Sequence, residues 1–105
     1  MTRPLIVTLC GSTRFKTAFE DAAKRLTAEG RMVFTVGWFG HAEPEGIPDG
    51  VKRNVDALHL CKIEASDYIL VLNVDGYIGE STAREIAYAT LIGKPVAYLE
   101  PIDAA

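Results

Sequence analysis

Cysteine is scarce in this chain of 105 residues: there are two, Cys10 and Cys61. Neither has a second Cys or a His beside it at metal-ligand spacing. The sequence therefore offers no disulfide framework and no metal motif, and two buried thiols in a reducing cytoplasm are expected. Long apolar runs are missing as well. The one nearest the N-terminus covers residues 5–10, too short for the core of a signal peptide. No stretch approaches the ~20 apolar residues of a membrane span, so neither export nor a membrane partner is expected. A basic excess is also absent, with a formal net charge of −3 and a pI of about 5.3. Binding along a nucleic acid needs a basic face to neutralise phosphates, so small molecules are the expected partners instead. Only 9 Gly and 5 Pro exclude a collagen-like chain, and a hydrophobic fraction of 49% excludes disorder. What remains is one cytoplasmic domain over residues 1–105, long enough for a core without much margin.

Four short apolar runs alternate with longer amphipathic stretches. Residues 5–10 read as a strand buried on both faces and ended by Gly11. Residues 15–29 set Phe15, Phe19, Ala22, Ala23 and Leu26 on one helical face, and Gly30 stops that helix. A second strand is expected at 32–36, then a long loop at 37–50 carrying Trp38, Phe39 and His41. A helix over 51–65 has Val51, Val55, Leu58 and Ile63 on its apolar side. A third strand at 68–73, a glycine-rich loop, a third helix at 81–92 and a fourth strand at 95–99 complete the chain. This alternation predicts an α/β fold with a four-stranded parallel sheet, helices on both faces and right-handed crossovers. Ligands of such folds sit beyond the carboxyl ends of the strands, where strand order reverses. The loops after the first three strands are therefore the places to look.

The first of these is Cys-Gly-Ser-Thr-Arg at residues 10–14. Gly11 permits a close turn, the amides of Ser12 and Thr13 lie at a helix N-terminus, and Arg14 adds a charged donor. Together they can hold a phosphate. The segment matches neither nucleotide-binding glycine motif, and Ser12 and Thr13 are equally suited to plain helix capping. In the loop after the third strand, Gly76 and Gly79 let a ligand approach the backbone, Ser81 and Thr82 open a helix, and Glu85 is expected in its first turn. Thr82 and Glu85 also fit a capping box, and Glu80 with Arg84 an ordinary helix pair.

The combination of Cys-Gly-Ser-Thr-Arg at 10–14 with Gly-Tyr-Ile-Gly-Glu-Ser-Thr-x-x-Glu-Ile-x-Tyr-Ala at 76–89 resembles the nucleoside 2-deoxyribosyltransferase-like superfamily. Within it the match is to the small nucleoside 5′-monophosphate N-glycosidases, over residues 5–99. The resemblance implies a Rossmann-like (flavodoxin-like) three-layer fold and no cofactor. It implies Glu85 as the nucleophile at the anomeric carbon. It sets Gly11, Ser12, Thr13 and Arg14 against the 5′-phosphate or sugar, and Gly79 and Ser81 in the phosphate site.

Cleaving an N-glycosidic bond develops positive charge at C1′, which a carboxylate beneath it stabilises or traps, while a second acid protonates the leaving base. Candidates for that acid are Asp75, Asp56 and His59, the last two three residues apart on one helix face. Solvated polar residues are the bland alternative for that pair. Lys62 shares the face and is a further candidate for phosphate. Trp38, Phe39 and His41 either stack on the base or pin a surface loop. Several members of the family carry a Tyr near the end of the first strand, where this chain has Thr8 and Leu9, and members often have a longer chain. A homo-oligomer that completes the pocket is therefore expected, and a nucleotide-binding sensor without turnover is the alternative function.

Overall fold

The computed structural model describes residues 3–40 and 46–102. The strands are β1 (Ile6–Cys10), β2 (Met32–Phe34), β3 (Tyr68–Val71) and β4 (Val96–Tyr98), all parallel and in the order β2-β1-β3-β4. Helices α1 (Lys16–Ala28), α2 (Asp49–Ala65) and α3 (Glu80–Leu91) supply the crossovers. The expected α/β, flavodoxin-like arrangement is thus borne out, with the reversal of strand order falling between β1 and β3. Among the described residues no helix is long and apolar enough to cross a membrane.

Successive side chains of a strand face opposite ways, and this alternation divides the core. Val7 and Leu9 of β1, with Leu70 and Leu72, pack against Phe19, Ala22 and Leu26 of α1. Cys10, Ile69 and Val71 face the other layer, where they meet Ile63 of α2 and Ala89 of α3. At the opposite end of the sheet, Asp67 accepts from the Ile6 amide and, at 2.8 and 2.9 Å, from Arg3. The Arg3 hydrogen bond, then the Ile6 amide, pull the Asp67 carboxyl down to about 2.

Several expectations are corrected. The second strand ends at Phe34 rather than residue 36, because the Thr35 carbonyl turns away to accept from Lys62 Nζ at 2.7 Å. That bond fastens α2 to the end of β2, so Lys62 is a structural tie and not a phosphate ligand. Helix α2 starts at Asp49 and takes in Gly50, which shortens the loop expected at 37–50. Leu58, read as apolar-face, is 59% exposed. It stands five residues before buried Ile63, well round the helix, and the buried position one turn from Ile63 belongs to His59. Cys61 is exposed for the same reason, being two residues from Ile63, while Cys10 is fully buried.

Phe19 is 1% exposed at the centre of the α1 face and meets Phe39 edge-on at 5.4 Å between centroids. Phe19→Ala is expected to cost roughly 3–5 kcal/mol. Urea unfolding should show this as a lower midpoint with an unchanged m-value.

Candidate functional site

The close approach of β1 and β3 at their carboxyl ends sets the floor of the site. The Leu72 amide donates to the Cys10 carbonyl at 2.7 Å. A β-carbon on Gly11 would lie 3.2 Å from Leu72 Cβ and 3.3 Å from its carbonyl oxygen. Any larger residue there requires Leu72 to give by a few tenths of an ångström, so glycine suits the turn.

Above this junction opens a cavity of about 400 Å³. One wall is the β1–α1 loop, with Gly11, Ser12, Thr13 and Arg14. Another is the start of α3, with Gly79, Ser81, Thr82 and Glu85, and α2 contributes Val55, Asp56 and His59. Nine of the residues predicted from sequence are therefore brought together. Asp75 and Gly76 are not. They lie in a 3-10 turn at Val74–Gly76, where Asp75 takes φ 54° and its amide donates to Glu100 Oε2 at 2.8 Å. That turn is anchored away from the cavity by Asn73, whose buried amide pairs in both directions with the Glu100 backbone at 2.9 Å.

Helix α3 has its N-cap at Gly79, so Glu85 falls in the second turn rather than the first. That displacement removes the capping box, since Thr82 is already inside the helix and no side chain caps its start. The Glu80–Arg84 pair is present at 3.2 Å on the surface. Trp38 lines the cavity whereas Phe39 packs on Phe19, so the two aromatics divide the roles considered for them. His41 lies outside the described residues. Tyr77 adds a cavity wall that was not anticipated: Arg14 stacks over its ring at 4.7 Å, and Phe15 meets it edge-on at 5.9 Å. An aromatic between two glycines in a loop gave no spacing signal.

Beneath Glu85 the fold assembles a cluster that the sequence had not marked. The buried stripe of α2 runs from Ile63 back to His59, and that of α3 from Ala89 back to Glu85, each an i,i+4 step. Both helices thereby carry their core faces one turn further, to the strand ends, where the stripe turns polar. There they meet Cys10, the last residue of β1. His59 Nε2 is 3.4 Å from Cys10 Sγ and 3.7 Å from Glu85 Oε1. Thr8, on the same face of β1, spends its hydroxyl on the Lys62 carbonyl at 3.0 Å.

Burial governs the charge states. It is the main cause raising the Glu85 carboxyl to about 7, with the Asp56 charge adding to it and the Cys10 hydrogen bond opposing. Burial also lowers His59 to about 4, helped by the Lys62 cation. The Cys10 thiol is pushed well up by burial and then by the Glu85 carboxylate. At neutral pH His59 is a neutral imidazole, Cys10 a thiol, and Glu85 close to half ionised. The other cavity acid on α2, Asp56, is 54% exposed and pairs with Lys52 at 2.8 Å.

No family model and no curated protein matches the chain. Among solved structures, it is similar to the 2-deoxyribosyltransferase of the psychrotolerant bacterium Bacillus psychrosaccharolyticus, described as a biocatalyst for nucleoside synthesis. The match has a TM-score of 0.69 at 21% identity, over 93% of this chain and 77% of that one. The chain thus has the nucleoside 2-deoxyribosyltransferase fold, as the two sequence motifs implied.

The shifted carboxyl and imidazole make stability depend on pH in opposite senses. Glu85, raised from 4.5 to about 7, contributes stability that is full below pH 4.5 and lost as pH rises through 7. His59, lowered from 6.5 to about 4, contributes stability that is full above pH 6.5 and lost as pH falls through 4. Between these limits the slopes oppose. Glu85→Gln should leave the His59 slope alone, and near pH 8 it should exceed the parent by up to about 3 kcal/mol. Urea midpoints across this range check it, and a variant no more stable than the parent at the alkaline end contradicts it.

Proposed function

We propose that this chain cleaves, or transfers across, the N-glycosidic bond of a nucleoside or nucleoside 5′-monophosphate, with Glu85 as nucleophile. The observation that carries the reading is that Glu85 shares one cavity at the strand ends with the Gly11–Arg14 loop and the start of α3. Its side chain is 19% exposed, enough to reach a ligand while remaining largely desolvated. A desolvated carboxylate is strongly stabilised by positive charge developing beside it, which is what C1′ supplies as the base departs. In the first step a Glu85 oxygen bonds to C1′ and the C1′–N bond breaks, the base taking a proton. In the second, water attacks C1′ and returns the Glu85 carboxylate; a second base in place of water gives transfer.

The β1–α1 loop and the N-terminus of α3 border the cavity, and no side chain caps α3. Their amides and Arg14 suit an anion, which favours the 5′-monophosphate and, with it, hydrolysis. Trp38 offers a face for the base. Of the three groups considered for the leaving base, Asp56 lines the cavity but is paired as a carboxylate with Lys52, so the proton for the base comes from water. His59 is held neutral at about 4, and Asp75 is not among the residues lining the cavity. A homo-oligomer belongs to this reading, supported by Leu58 on α2 and Leu91 on α3, which are 59% and 82% exposed.

Incubation with nucleosides and their 5′-monophosphates, with free base followed by chromatography, tests the proposal. Release of base should rise with pH through about 7 as Glu85 ionises. Glu85→Gln should lower kcat by at least about a hundredfold. Arg14→Gln should raise KM for the monophosphate by about tenfold, the loss of one charged contact, with little effect on the unphosphorylated nucleoside. Thermal stabilisation by a nucleotide with no release of base would favour the sensor instead.

A further inference from the structure

Cys10, His59 and Glu85 do not close into a hydrogen-bonded triad: only the thiol links to its neighbours, and the imidazole and the carboxylate do not bond each other. The 3.7 Å between His59 Nε2 and Glu85 Oε1 is beyond a hydrogen bond. The 3.4 Å between His59 Nε2 and Cys10 Sγ is a hydrogen bond, weak because a thiol is a weak donor. His59 Nδ1, buried on the other side of the ring, has no hydrogen-bond partner among the described residues. Yet one sulfur, one nitrogen and one carboxylate oxygen lie within 4.8 Å of one another, on three separate elements of the core.

These separations suit ligands that share one ion. Bonds of about 2.3 Å to sulfur and about 2.0–2.2 Å to nitrogen and oxygen, at tetrahedral angles, set donor atoms about 3.3–3.6 Å apart. Small side-chain rotations bring this set into that range. We infer that Cys10, His59 and Glu85 form a three-ligand site for a thiophilic divalent cation of the zinc type, and that its occupation blocks the chemistry of the cavity by engaging Glu85.

The donor set chooses the ion. A thiolate and an imidazole disfavour Mg²⁺ and Ca²⁺, which take oxygen ligands, and favour Zn²⁺ or Co²⁺. Charge also balances: one thiolate and one carboxylate cancel a dication, with a neutral imidazole as third ligand, so the buried assembly carries no net charge. On binding, the Cys10 S–H bond breaks and an S–metal bond forms. The proton leaves to solvent, as does that of Glu85 where it is held, and no oxidation state changes. His59 and Glu85 line the cavity while Cys10 lies beneath them, so the fourth position faces the cavity, open to water.

The inhibitory consequence rests on the reading of Glu85 as nucleophile, whereas the binding does not, and two measurements separate them. Metal-free protein titrated with Co²⁺ should develop a thiolate-to-cobalt absorption band in the near ultraviolet at one ion per chain, displaced by Zn²⁺. Cys10→Ser should abolish the band. His59→Gln should weaken binding at least about tenfold, and exposed Cys61→Ser should leave the band intact. A second titration follows base release from the substrate identified above. One equivalent of Zn²⁺ should lower it at least tenfold, and a chelator should restore it. Absence of the cobalt band in the folded parent, or a band that survives Cys10→Ser and disappears with Cys61→Ser, overturns the site. A band accompanied by undiminished base release overturns the inhibition. If no substrate releases base, the proposed function fails while the cobalt titration still decides the site.

Discussion

The Leu72 amide donates to the Cys10 carbonyl at 2.7 Å, and across that bond the ends of β1 and β3 come so near that a β-carbon at residue 11 would press on Leu72. Much else follows from this contact. It is the last rung between the two central strands and lies at the point where strand order reverses. The loops leaving it therefore diverge and leave a space between them. It also fixes the phase of β1, turning Cys10 toward α2 and α3 and Leu9 toward α1. A shift of one residue would exchange those faces and put leucine beneath Glu85.

The polar cluster at the strand ends is a continuation of the apolar core by other residue types. Ile63 and Ala89 are buried by the same helical stripes that, one turn on, bury His59 and Glu85. Such burial opposes ionisation of all three groups in the cluster. At neutral pH its cost falls mainly on the carboxylate, since the thiol and the imidazole are already neutral. Under the proposed function this is the usual form of a conflict between stability and activity: among the described residues, the carboxyl that burial raises is the one assigned the chemistry.

The parts of this arrangement readable in the sequence were those set by local periodicity. Alternating apolar runs and helical stripes identified each described strand and α-helix, and with them the loops that meet at the strand ends. The motifs around Gly11 and Glu85 then named two of the cavity's walls. What was hidden depended on phase and on contacts distant in sequence. Leu58 looked apolar and therefore inward, yet His59 holds the inward position, because Ile63 and the Lys62–Thr35 tie set the rotation of α2. Cys10 read as an inert core thiol because nothing nearby in sequence could partner it, and its neighbours come from positions 59 and 85. Asp75 shared a loop with good candidates, but its backbone is captured by Glu100 from beyond β4.

The spacing within the cluster bears on both roles assigned to Glu85. A carboxylate bonded firmly to a histidine has its lone pairs directed and partly spent, and it would be a poorer nucleophile and a poorer ligand. Here the imidazole stands beyond hydrogen-bonding distance, and among the described residues the hydrogen bond opposing the rise of the carboxyl comes from a thiol, a weak donor. Glu85 is thus desolvated without being saturated. An electron-poor carbon entering from the cavity and a dication settling between the three donors answer the same deficit of positive charge. Under the two proposals, occupation by one would exclude the other for that reason.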